Sequence, residues 1–180
     1  MSAEQRLPGD RAQAADVARM IRVDHAGEYG AARIYAGQLA VLGRRESAPV
    51  LREMQEQERQ HLERFADMIA RRRVRPTALL PLWHVAGFAL GAATAVLGER
   101  AAMACTVAVE EAIDAHYAEQ IAALDDGEKL RDTLSAFRVD ELHHRDIGLQ
   151  HGAEQAPGYR LLSAAIRTGC RLAIRISERV

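Results

Sequence analysis

Two Glu-x-x-His elements, Glu58 with His61 and Glu141 with His144, bring acid and imidazole side chains to a spacing of three. On a helix that spacing sets the two side by side on one face, the arrangement a bound metal or a proton-transfer pair requires. With 15 Glu and seven His in the chain, about half of one such pair is expected by chance, so either element alone carries little. The surrounding frame carries more. Superimposing Glu28 on Glu110 aligns Tyr35, Gln38, Leu39, Ala40 and Leu42 with Tyr117, Gln120, Ile121, Ala122 and Leu124, and each leading Glu is followed about 30 residues later by one Glu-x-x-His. The seven-residue step from each Glu to its Tyr is two helical turns, about 10 Å, so both side chains belong to one inward stripe.

One Glu from each of two helices, with Glu-x-x-His from each of two more, is the ligand set of two-metal carboxylate sites in ferritin-like bundles. The candidate metal ligands are therefore Glu28, Glu58, His61, Glu110, Glu141 and His144. Carboxylate and imidazole suit iron or manganese, whereas a structural zinc site would recruit cysteine and close with four ligands. Six ligands over two metals leave positions open for oxygen, and four carboxylates balance two ferrous ions in a low-dielectric core. Glu110 and Glu111 are adjacent and a helix turns about 100° between them, so one points inward; the offset to Tyr117 selects Glu110.

Such a site needs four helices. The 180 residues suit one domain, and 4% aromatics beside abundant Ala, Leu, Arg and Glu suit an all-α fold. The first helix is expected over about 14 to 43, capped by Asp10 or Asp16 and stopped by Gly43, after a flexible lead at 1–13. A second starts at Ser47 and Pro49 and runs to Arg71-Arg72-Arg73. After Pro76 and Pro81 no strong stop intervenes before Leu124, so one long helix is expected, with Gly87, Gly91 and Gly98 as places for a kink. Asp125-Asp126-Gly127 reads as a turn. A further helix spans about 128 to His151 with Gly152 as terminator, and Pro157-Gly158 opens a short C-terminal helix.

The formal charge of −1 gives no field that would attract nucleic acid. Cys105 and Cys170 sit in apolar helical segments without metal spacing and read as free thiols of a reducing compartment. Met1 to Asp10 has neither a secretory apolar run nor transit-peptide character, which places the expected location at the cytoplasmic face of the inner membrane of a bacterium. Thr77 to Gly98 contains no Asp, Glu, Lys or Arg. Its proline, glycines and His84 argue against a span and for a helix in the membrane interface or lining an apolar tunnel; burial in the bundle or a dimer contact is the plainer reading. Arg71, Arg72, Arg73 and Arg75 would meet anionic head groups, or complement the negative end of their helix. The C-terminal helix, with Leu161, Leu162, Ile166, Leu172 and Ile174 among Arg160, Arg167, Arg171 and Arg175, is a basic amphipathic surface for a membrane or partner.

The segments Asp24-His25-Ala26-Gly27-Glu28-Tyr29-Gly30-Ala31, Arg73-Val74-Arg75-Pro76-Thr77 with Pro81-Leu82-Trp83, Cys105-Thr106-Val107-Ala108-Val109-Glu110-Glu111, and His144-Arg145-Asp146-Ile147-Gly148-Leu149 closely resemble the demethoxyubiquinone hydroxylase family, from about residue 20 to the C-terminus. The resemblance implies a di-iron monooxygenase of ubiquinone biosynthesis. It would insert one atom of O2 into the demethoxyubiquinone ring using two electrons, with the six candidate residues as iron ligands and a long-tailed quinone as substrate. Tyr117 and His116 are, on the same analogy, proton or electron relay groups beside the ligands; the plain reading is a core tyrosine with a satisfied hydroxyl. Asp24 and Asp140 are placed to orient a ligand imidazole, or to cap and face solvent. His25, His84, His143 and His151 fall outside the repeated frame and read as surface or packing residues. The electron donor, NADH or a reductase, has no signature, since no Gly-x-Gly-x-x-Gly occurs. A homo-oligomer is expected. Iron storage or peroxide scavenging needs the same ligands without the apolar segment, and a non-catalytic lipid-binding scaffold would need neither iron nor oxygen.

Overall fold

The computed structural model describes residues 14–125 and 127–180. Asp10 and the rest of residues 1–13, where a flexible lead is expected, lie outside the described residues, as does Asp126 of the expected turn. Among those described, all regular structure is helical: α1 (Ala14–Leu42), α2 (Ala48–Arg72), α3 (Leu80–Val96), α4 (Glu99–Ala123), α5 (Lys129–Gln150), a 3-10 turn at Ala153–Gln155, and α6 (Tyr159–Ser177). Proline enters the first turn of α2, where its missing N–H costs nothing. That helix closes on Arg73 in the left-handed region, φ 52°, with Val74 N donating to Ile69 O at 3.0 Å. At the start of α5 the Glu128 carboxylate accepts from Leu130 N at 3.3 Å.

The expected single helix from Pro81 to Leu124 is two helices. Gly98 adopts φ 117° and ψ 166°, a conformation open essentially only to glycine, and the chain changes direction there. This frees α3 from the axis of α4 and lets it pack against α1. The backbones touch: a Cβ on Gly37 would lie 2.1 Å from Phe88 O, and one on Gly91 would lie 1.9 Å from Ile34 O. The C-terminal helix is also longer than expected, 19 residues packed along α4 and tied to it by Arg167 Nη1 donating to Glu111 Oε2 at 2.5 Å.

Four helices, α1, α2, α4 and α5, enclose the centre. Residue pairs across them give their directions: Asp24 meets Gln120 while Tyr35 meets Glu110, and Gln57 meets His144 while His61 meets Asp140, so α1 runs antiparallel to α4 and α2 to α5. Two apolar layers close the centre from its two ends. One contains Ile21, Phe65, Leu130 and Leu134; the other contains Leu51, Met54, Ala102 and Met103. Outside this frame, α3 presents Leu82, Val85 and Val96 to solvent, and α6 presents Leu161 and Leu172. Among the described residues no helix is long and apolar enough to cross a membrane.

Candidate metal centre

The inward stripes of the four central helices meet between the two apolar layers, and there the structure gathers Glu28 of α1, Glu58 and His61 of α2, Glu110 of α4, and Glu141 and His144 of α5. All six are at most 3% exposed. They form two overlapping quartets, Glu28, Glu58, His61, Glu141 and Glu58, Glu110, Glu141, His144, each offering donor atoms within 4.8 Å of one another. Glu58 and Glu141 belong to both. His61 Nδ1 lies 3.2 Å from Glu141 Oε1 and 3.7 Å from Glu28 Oε2; His144 Nδ1 lies 3.1 Å from Glu58 Oε1 and 3.9 Å from Glu110 Oε1.

A cluster of this kind is costly without a cation. Burial lifts Glu58 and Glu141 well above the usual carboxylate range, and the charges of their neighbouring glutamates add to it. Burial likewise pushes Glu110 up to about 7. It acts on Glu28 too, but there the hydrogen bond and charge of His61 outweigh it and hold the group below its ordinary value. His144 is pushed down to about 4, first by burial and then by His61. The atoms facing the centre have no hydrogen-bond partner: Glu28 Oε2, both oxygens of Glu58 and of Glu141, Glu110 Oε2, and Nδ1 of His61 and His144. Buried polar atoms are almost always satisfied, so this convergent set of orphaned donors fits divalent metal and fits poorly with a purely structural role.

Glu111, the neighbour the register argument set aside, points outward to Arg167. The tyrosines answer each other's half of the repeat. Tyr35 of α1 donates to Glu110 Oε1 at 2.6 Å, and Tyr117 of α4 donates to Glu28 Oε1. Both hydroxyls are therefore satisfied, and both touch candidate ligands. His116 does not touch one. Its Nε2 lies 3.3 Å from Asp24 Oδ1 and 2.7 Å from Gln120 Nε2, and Asp24 faces this pair rather than a ligand imidazole. Burial pushes Asp24 up to about 6 despite the opposing effect of His116. Asp140 does meet an imidazole, with Oδ2 3.1 Å from His61 Nε2. Its counterpart, Gln57, was not singled out from sequence; its Oε1 lies 2.7 Å from His144 Nε2. The signal was present, since Gln57 precedes Glu58 as Asp140 precedes Glu141. His84, read as ordinary, shares a hydrogen bond of 2.7 Å with the Tyr29 hydroxyl.

Beside the cluster lies an apolar cavity of about 470 Å3 walled by α1, α3, α4 and α6. Gly27 and Val109, each next in the chain to a cluster glutamate, line it, as do Ile34, Leu90, Ile113 and Ile166. Trp83 Nε1 donates to Ser177 Oγ at 3.0 Å, joining α3 to α6 along its wall. Cys170 also faces it. Burial pushes that thiol up to about 11 and Cys105 up to about 12, so both are free and protonated near neutral pH.

Residues 15–177 match the family described as ubiquinone biosynthesis protein COQ7. A 3-demethoxyubiquinol 3-hydroxylase of Rhodospirillum rubrum is 60% identical over 181 residues, covering 99% of this chain and 85% of that protein. An NADPH-dependent 3-demethoxyubiquinone 3-hydroxylase, mitochondrial, of Homo sapiens is 56% identical over 176 residues, covering 95% and 81%. A 5-demethoxyubiquinone hydroxylase, mitochondrial, of Saccharomyces cerevisiae is 43% identical over 187 residues, covering 94% and 80%. A match over nearly the whole helical frame, with likeness of this degree across bacterial and eukaryotic relatives, means that the chain belongs to the ubiquinone biosynthesis protein COQ7 family.

Proposed function

We propose that this chain is an O2-dependent di-iron monooxygenase that hydroxylates the ring of a demethoxyubiquinone intermediate. The single observation that carries it is the convergence of six buried ligands, with unpartnered donor atoms, next to an apolar cavity. Glu28 and His61 would hold one iron, Glu110 and His144 the other, and Glu58 and Glu141 would bridge them. Two ferrous ions there would supply the reduction and activation of O2. The protein's own part is positional and electrostatic. Tyr117 and Tyr35 hold Glu28 and Glu110 in place, and the apolar walls of α1, α3, α4 and α6 receive a quinone ring and keep water away from it. His116, whose Nε2 faces Asp24 and Gln120 one helical turn from Glu28 and Tyr117, is a proton reservoir at the edge of the site rather than a ligand.

The electrons come from a reduced nicotinamide, as the name of the human relative states for that protein, either directly or through a reductase. The apolar stripe of α3 and the basic amphipathic α6 rest on a membrane from which the long-tailed substrate enters. The chain acts as one domain, because all six helices wall either the cluster or the cavity. The reading is completed by a peripheral place at the cytoplasmic face of a bacterial inner membrane and by self-association. Iron storage or peroxide scavenging would use the same ligands but has no need of an apolar cavity of this size.

The test is genetic and chemical together. Cells lacking the protein should accumulate the demethoxy quinone, and wild-type protein should clear it, whereas Glu58→Ala should not and should bind fewer than two irons per chain. Normal hydroxylated quinone in the deleted cells would refute the reading.

A further inference from the structure

The ligands repeat between the halves of the chain, but their supports do not. Superimposing Glu28 on Glu110 and Glu58 on Glu141 pairs like with like for every ligand, for the two tyrosines and for Gln38 with Gln120. It pairs unlike residues at several supporting places, among them Asp24 with Thr106, His116 with Ile34, and Gln57 with Asp140. Supports also cross between halves. Gln38 donates to Ala102 O at 3.0 Å and lies 3.4 Å from Thr106 Oγ1, as Gln120 reaches Asp24; the residue before each Glu-x-x-His glutamate holds the histidine of the opposite element.

Each imidazole turns Nδ1 to the centre, where it has no hydrogen-bond partner, and Nε2 outward onto an acceptor. An acceptor at Nε2 keeps the proton there and leaves the Nδ1 lone pair for metal. Asp140 and Gln57 therefore select the same tautomer. They differ in strength: a carboxylate draws the Nε2 proton harder than an amide oxygen and makes the imidazole a more electron-rich donor. Asp24 adds negative charge one turn from Glu28 where Thr106 is neutral, but His116 lies against it, so the difference rests on Asp140 and Gln57.

We propose that Asp140 and Gln57 are unlike positioning residues that make the two metal positions inequivalent. The position served by Glu28 and His61 binds ferrous iron more tightly than the one served by Glu110 and His144. This rests on the di-iron reading above.

Metal-free protein titrated anaerobically with 57Fe(II) tests it, with Mössbauer spectra and stepwise dissociation constants as readouts. Wild type should take up two irons in unequal steps and show two quadrupole doublets, one filling first. Asp140→Asn keeps an acceptor and removes its charge; the tighter step should weaken by about tenfold and the two steps converge. Gln57→Glu should converge them the other way, by strengthening the weaker step. The double variant D140N/Q57E moves the charge to the other half and should reverse which doublet fills first, an outcome a merely structural role would not produce. Helical content and the melting temperature of the metal-free variants report folding independently. Two irons binding to wild type, with constants and doublets unchanged in all three variants, would overturn the inequivalence and leave the di-iron reading intact. Wild type binding no iron would remove both.

Discussion

Charge at the six buried groups sets how this protein should respond to pH. Glu58 and Glu141 keep their protons far above the ordinary carboxylate range, Glu110 keeps its own to about 7, and His61 is raised by the carboxylates of Glu28 and Asp140 against the effect of its burial. Between pH 6.5 and 8 the folded, metal-free chain therefore binds more protons than the unfolded chain, whose carboxylates are already ionised. Stability must then fall as pH rises through that window. His144, whose value is lowered to about 4, opposes this only below its ordinary 6.5. Thermal unfolding of metal-free protein should show a melting temperature that drops from pH 6.5 to 8, and ferrous iron should abolish most of the drop by taking the place of the protons. At the same scale, Tyr117→Phe removes the donor to Glu28 Oε1 and leaves a buried carboxylate oxygen unsatisfied. It should cost about 1–3 kcal/mol in denaturant unfolding of the metal-free protein.

Helix α3 owes its place to one glycine at its end and others along its face. With φ 117° at Gly98, the chain can leave α3 and begin α4 without an intervening loop, and Gly37 and Gly91 allow α1 and α3 to meet backbone to backbone. Gly98→Ala should destabilise the fold by about 1–3 kcal/mol, read by urea unfolding, because an L side chain is strained in that region. Nothing lies within 4 Å of a Cβ built on Gly98, so the cost is conformational and not steric. The same variant should leave the metal ligands on α4 in register, since the strain sits at the helix start, and iron stoichiometry should stay at two.

In the molecule as a whole, a polar centre is sealed between two apolar layers while further apolar surface is left outside. Leu82, Val85 and Val96 on α3, with Leu161 at 79% and Leu172 at 58% exposure on α6, are costly to leave in water and suit a lipid surface. Protein mixed with anionic vesicles should float with them, and Leu161→Glu combined with Leu172→Glu should sharply reduce the floated fraction without altering iron content. Unchanged flotation in that variant would place the contact elsewhere.

How much of this was legible beforehand follows from the range of the interactions. Glu-x-x-His on a helix, the paired Glu and Tyr stripe and the boundaries near Gly43 and Gly152 are encoded over a few residues, because helical periodicity and capping are local, and the six clustered residues follow from them. Which partner each group meets was not so encoded. Tyr117 serves Glu28 and not Glu110, Gln57 serves His144 and not His61, and Asp24 meets His116, because these pairings depend on how antiparallel helices are brought face to face. Of the three glycines that could kink the expected long helix, the sequence did not single out Gly98 as the one where it breaks in two, for a related reason. Glycine permits both a helical and a left-handed backbone, and the choice was made by the packing of α3 against α1, far away in sequence. The cavity arises in the same way, from walls on four helices whose separate apolar patterns carry no record of the space left among them.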